Sequence, residues 1–156
     1  MIGKHLARRG FAYQTSLLID GKFHKAANNN TFDTFNPATE EKITHVSAAT
    51  KEDVDKAVKA ARRAFETGPW RKMAPVERQK CMNKLADLVE KHRDELAHLE
   101  SLDNGKPVHI ANGADVQLTI NHYRYFAGWA DKIHGETLPS NGPYFSYTKK
   151  DPVGVV

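Results

Sequence analysis

Cysteine, histidine and grouped carboxylates are the residue types from which nucleophiles, general bases and metal sites are built. In this chain of 156 residues they are few and scattered. Cys81 is the one cysteine, and it falls inside an apolar repeat. It falls mid-helix, away from a helix N-terminus that would favour the thiolate, so core packing is its expected role. Eight histidines are spread along the chain, with no His-Glu-x-x-His and no Cys-x-x-Cys pair. His92 and His98 are six apart, which puts them on opposite sides of a helix, the first expected at a core flank and the second at the surface. The ten glycines form neither Gly-x-Gly-x-x-Gly nor a Walker phosphate loop, so no dinucleotide cradle is legible. No catalytic residue and no cofactor-binding residue is assigned. One carboxylate stands out. Asp103 is placed in the last turn of a predicted helix, where unpaired carbonyls disfavour negative charge by roughly 0.3–1 kcal/mol. It calls for a positive partner, for which Lys106 and a bound monovalent cation are the two candidates.

The elements around these residues are well signalled. Ser16–Phe23 reads as two short strands about Asp20-Gly21, a dipeptide suited to a tight hairpin turn. Thr31–Phe35 and Glu41–Val46 are further strands, separated by the turn signal Asn36-Pro37. A first helix opens at Thr50, where Asp53 completes a near-capping box, carries Val54, Ala57, Val58, Ala61, Ala64 and Phe65 on one stripe, and ends at Gly68-Pro69. A second opens at Pro75 and closes at Gly105-Lys106-Pro107, with Cys81, Leu85, Leu88, Val89, His92, Leu96 and Leu99 as its inward stripe. A third is expected from about Gly113 to His134, turning Leu118, Tyr123, Phe126, Ala127 and Ala130 inward. Phe145–Lys149 alternates as a strand, and Val153–Val156 begins another.

Composition bounds the rest. With 40% apolar and 27% charged residues and no long apolar run, the chain reads as a globular protein without a membrane span. Its net charge is +4, of which Lys4, Arg8 and Arg9 supply three, leaving +1 for the remainder. The other basic residues are interleaved with acids at helical spacing, which argues against a nucleic-acid-binding stripe. A single cysteine suits a reducing compartment. The acid-free, basic segment before Asp20 carries Ile2, Leu6 and Phe11, so residues 1–15 read as a mitochondrial targeting leader or a tail. A mitochondrial matrix location is expected, with the cytoplasm as the alternative.

Three amphipathic helices present more apolar surface than these short strands can cover. Each large aliphatic side chain left wet forgoes roughly 1.5–3 kcal/mol, and several together rival the whole stability of a domain, about 5–15 kcal/mol. A neighbour is therefore expected.

Taken in order, Phe35-Asn-Pro-Ala-Thr39, Lys51–Arg62, Pro69-Trp-Arg71, Leu99-Glu-Ser-Leu-Asp-Asn-Gly-Lys-Pro107, Arg124–Lys132 and Asp151-Pro-Val-Gly-Val155 resemble the NAD(P)-dependent aldehyde dehydrogenases over about residues 17–156. The resemblance implies an α/β fold of which this is the N-terminal part: β-hairpins and three helices flanking a Rossmann-like sheet that is mostly absent. Residues 16–143 would belong to the cofactor-binding domain, 144–152 to an oligomerisation arm, and 153–156 to the start of the sheet. It also implies a monovalent cation held by the carbonyls of Thr34 and Phe35 with the carboxylate of Asp103. Ala114, Leu118, His122 and Tyr125 would border a substrate tunnel, with His122 a polar departure.

The family's reaction is attack of a cysteine thiolate on an aldehyde, hydride transfer to NAD or NADP, and hydrolysis of the resulting thioester. The nucleophile, the general base, the cofactor loop and an asparagine-bearing loop would all follow Val156. The expectation is an N-terminal fragment of a homo-oligomeric enzyme, inactive alone and binding no cofactor alone, whose partner is the remainder of the enzyme. The alternative is a non-catalytic remnant that serves as a structural or interaction subunit of a larger assembly.

Overall fold

The computed structural model describes residues 13–156. Most of the leader reading, residues 1–12, lies outside the described residues. The described chain divides after Ala57 into two compact units.

The first unit is built from two hairpins. β1 (Leu17–Ile19) and β2 (Lys22–His24) pair antiparallel, Leu18 opposite Phe23 and Ile19 opposite Lys22. Asp20 and Gly21 between them both take positive φ, 54° and 73°, as a two-residue turn of matching twist requires. β3 (Thr31–Phe35) pairs with β4 (Lys42–Ser47). Their register slips between Thr34 and Phe35, which face Thr44 and Lys42, so Ile43 is the extra residue of a bulge. Ser47 N–H donates to the Thr15 carbonyl at 2.9 Å. The unit ends in the first turns of α1 (Lys51–Thr67), where Asp53, 4% exposed, is buried and takes the backbone N–H of Ala27.

The second unit is helical. α2 (Pro69–Lys72) is a single turn after Gly68. The expected second helix is two: α3 (Pro75–Lys91) and α4 (Arg93–Asn104) meet at His92, whose φ of −100° and ψ of 19° break the run. The bend lets α3 lie along α6 (Gln117–Ala127) while α4 packs on the stretch before it. α4 ends at Gly105, with φ 79°, a left-handed cap suited to glycine. The expected third helix starts earlier and stops sooner than its periodicity suggests. It runs through α5 (Val108–Ile110), a π-helical stretch at Ala111–Val116, and α6. After Ala127 the bonding tightens, Trp129 N–H to the Phe126 carbonyl and Ala130 N–H to the Ala127 carbonyl, so residues 128–131 are turns and the helix is not resumed before β5.

The core of this unit is made largely of alanines: Ala86, Ala97, Ala111, Val116 and Ile120, flanked by Val89 and Tyr123. Small side chains bring α3, α4 and α6 close, and Ile120 is the one large side chain fully enclosed among the described residues. Arg124 fastens α6 to α3 by reaching Glu90 at 2.6 Å and Asp87 at 3.2 Å. Both acids hold its pKa up, Glu90 the more. The helices' large aliphatic side chains fare differently. Val58, Leu85, Leu88, Leu96 and Leu99 are all exposed. So is Cys81, which corrects the expectation of core packing. A 3.6-residue repeat identifies the apolar side of a helix, not whether anything covers it. His92 and His98 exchange their expected roles, the first exposed beside Glu95 and the second half-buried.

β5 (Thr137–Leu138) pairs with β6 (Ser146–Tyr147), a shorter strand than the alternation of 145–149 suggests, and β5 was not legible as a strand. Val153–Val156 join no ladder among the described residues. No described helix is long and apolar enough to cross a membrane.

Candidate functional site

α6 supplies most of the lining of an open surface recess. Thr119, His122, Tyr123 and Phe126 recur at i, i+3, i+4 and i+7, the spacing of one helix face. With Leu118, and with Met82 from α3, they line a recess of about 470 Å³. Of the four tunnel candidates, Leu118 and His122 share this recess; Ala114 and Tyr125 are outside its lining. Leu118 is 52% exposed. Tyr125, 61% exposed, meets Phe126 edge-on at 5.1 Å and Trp129 at 6.4 Å. Ala114 is half-buried in the π-helical stretch. Sequence reading missed Thr119 and Met82. The helix-face spacing could have found Thr119; nothing local marks Met82.

The His122 ring stacks on Phe126 with 16° between planes and 6.4 Å between centroids. Its Nδ1 lies 2.7 Å from the Leu118 carbonyl. A carbonyl oxygen can only accept, so Nδ1 carries the hydrogen and Nε2 of the neutral ring is an acceptor. Thr119 Oγ1 likewise donates to the Asp115 carbonyl at 2.8 Å.

The π-helical stretch ahead of the recess is held by polar contacts at both ends. Arg93 reaches Gln117 Oε1 at 2.6 Å and the Asn112 carbonyl at 3.5 Å, and Asn112 Nδ2 donates to Asp94 at 2.9 Å. Lys106 Nζ meets Asp115 Oδ2 at 2.5 Å, and this bond pushes the Lys106 pKa up. π-helical turns are rare and concentrate at functional sites, since one wide turn re-aims the residues that follow.

That contact settles one of the two candidates for Asp103. Lys106 is engaged with Asp115, and Asp103, exposed in the last turn of α4, makes no ion pair among the described residues. The other two members of the expected cation set, Thr34 and Phe35, flank the β3–β4 register slip in the first unit. Two backbone carbonyls and a carboxylate are hard oxygen donors, of the kind that suits a small cation without bound nitrogen or sulfur ligands. Among the described residues, no three His, Cys, Asp or Glu side chains cluster as a metal site.

Comparison with known proteins places this fold. The model of the aldehyde dehydrogenase family matches residues 23–156. The mitochondrial aldehyde dehydrogenase of Equus caballus is 50% identical over 144 residues, covering 92% of this chain and 29% of that protein. The cytosolic aldehyde dehydrogenase 1 of Mus musculus is 51% identical over 142 residues, covering 90% and 28%. The NAD+ complex structure of the aldehyde dehydrogenase from Bacillus cereus superposes with a TM-score of 0.86 at 50% identity, over 89% of this chain and 28% of that one. This chain belongs to the aldehyde dehydrogenase family, and its α/β fold is the N-terminal part of that family's fold. It spans 28–29% of the length of those relatives.

Proposed function

We propose that this chain is the N-terminal part of an NAD(P)-dependent aldehyde dehydrogenase that oxidises an aldehyde to a carboxylic acid, and that it performs no such reaction by itself. One observation carries the reading: family-wide similarity over residues 23–156 combined with coverage of less than a third of each relative. The exposed apolar faces of α3 and α4 support it, since they suit burial against further protein. In this reading Ala114, Leu118, His122 and Tyr125 border the passage by which aldehyde enters, residues 144–152 form the arm through which subunits associate, and residues 153–156 open the Rossmann-like sheet of the domain begun at residue 16. Residues 1–15 serve as a mitochondrial leader or, in the alternative, as a tail of a cytoplasmic enzyme. Thr34, Phe35 and Asp103 hold a monovalent cation, and the support is that Asp103 makes no ion pair among the described residues.

The test is expression of the longer reading frame that carries this segment, followed by an assay of aldehyde-dependent NADH and NADPH formation. Turnover dependent on a cysteine beyond Val156 supports the proposal. A full-length protein without turnover favours a non-catalytic subunit. In the same protein, Asp103→Ala should abolish potassium- or sodium-dependent thermal stabilisation, and an unchanged salt response would remove the cation site.

A further inference from the structure

The recess on α6 has a chemical bias that its apolar walls conceal. Met82, Leu118 and Phe126 offer no donor, and the two short polar groups, Thr119 and His122, have committed their hydrogens to their own helix. Thr119 Oγ1–H is spent on the Asp115 carbonyl and His122 Nδ1–H on the Leu118 carbonyl. What each can still offer a ligand is a lone pair: the second side of Oγ1 and the ring nitrogen Nε2. The Tyr123 hydroxyl can donate or accept and so discriminates little. An aldehyde carbonyl is itself an acceptor and finds no fixed donor here. A hydroxyl does find a partner. The stacked His122 and Phe126 rings and the Tyr123 ring give the recess flat aromatic walls, and its volume of about 470 Å³ lies within the usual range for a small-molecule site.

Resting on the reading of this face as part of the substrate passage, we propose that His122 and Thr119 make the enzyme selective for aromatic aldehydes bearing a hydroxyl far from the reacting carbonyl. The recess takes the tail of the substrate; the ring lies against His122, Tyr123 and Phe126, and the tail hydroxyl donates to His122 Nε2 or Thr119 Oγ1. His122 touches the substrate without taking part in the reaction. Sites built to pair a substrate hydroxyl discriminate strongly against analogues that lack it, because the site's own polar groups are then left unpaired.

The probes are para-(hydroxymethyl)benzaldehyde and para-ethylbenzaldehyde, similar in shape and in carbonyl reactivity and different in the donor, compared by kcat/KM in the full-length enzyme. The wild type should favour the hydroxy compound by about 10-fold or more. His122→Phe keeps a stacking ring and removes Nε2; it should cut that ratio about 10-fold, mainly by slowing the hydroxy compound. Thr119→Val should cut it less and decides the matter if His122→Phe does not fold. Leu118→Trp fills the recess and should slow both aldehydes. Slowing by Leu118→Trp with a ratio unmoved by His122→Phe and Thr119→Val overturns the proposal and leaves the passage reading intact. A Leu118→Trp enzyme that handles both aldehydes like the wild type removes the passage reading, and this proposal with it. No preference in the wild type also overturns it.

Discussion

Asp53 accepts a hydrogen bond from the backbone N–H of Ala27 at 3.1 Å, which ties the loop after β2 to the start of α1. The same oxygen, Oδ2, takes the N–H and the hydroxyl of Thr50, both at 2.9 Å, while Asp53 N–H returns to Thr50 Oγ1 at 3.3 Å. This is a reciprocal cap with an extra long-range strand. The backbone donors of Thr50 and then Ala27 hold the Asp53 carboxyl below the usual carboxylate range. Since its folded pKa is depressed, the carboxylate's contribution is fully present above the unfolded value, near pH 4, and is lost as pH falls through the lower folded value. Asp53→Asn should lower Tm by several degrees at neutral pH and flatten the loss of stability below about pH 4. Melting curves taken across that range would check it; parallel pH profiles for both proteins would contradict the assignment.

Ile120 is fully enclosed, at 0% exposure, in a cluster whose other buried members are three alanines and Val116, side chains too short to fill a vacated space. Ile120→Ala should therefore cost about 2–5 kcal/mol, as expected for a cavity that does not refill. Leu118→Ala, two residues earlier on a half-exposed side chain, should cost clearly less. Denaturant midpoints for the two variants measure the difference. Equal costs would mean that the α3–α6 core is elsewhere.

The helical unit leaves Val58, Leu88, Leu99 and Phe126 open to solvent, and Phe145 beyond them is 79% exposed. Residues 1–156 prepared alone should bind a hydrophobic dye or self-associate at micromolar concentration. Sedimentation and dye fluorescence would decide it. A dye-silent monomer with one cooperative melt would show that these faces need no cover.

Local chemistry made much of this fold legible. Asp20-Gly21 specified a turn because both residues tolerate positive φ, and Thr50 with Asp53 specified a helix start because the cap bonds lie within one turn. Features set by distant contacts stayed hidden. The break at His92 interrupts a stripe whose periodicity runs on through it, and serves packing against α6 and the π-helical stretch. The π-helical stretch is contacted by Arg93 at the Asn112 carbonyl, nineteen residues away, and by Lys106 at Asp115, nine away, neither within the spacing of a helical turn. Cys81 was misread because an apolar stripe was equated with a covered one. At the site, Leu118 and His122 were reached through family resemblance and share one helix face. Met82 is brought to them by α3–α6 packing, which no local pattern encodes.

The most direct test of the account is the rate of NADH formation by purified residues 1–156 supplied with NAD and an aldehyde. Aldehyde oxidation requires a thiolate placed beside a cofactor site and a general base, and Cys81 is an exposed thiol in the middle of α3. The expected result is no turnover above a protein-free control. Turnover that Cys81→Ala abolishes would contradict the account outright.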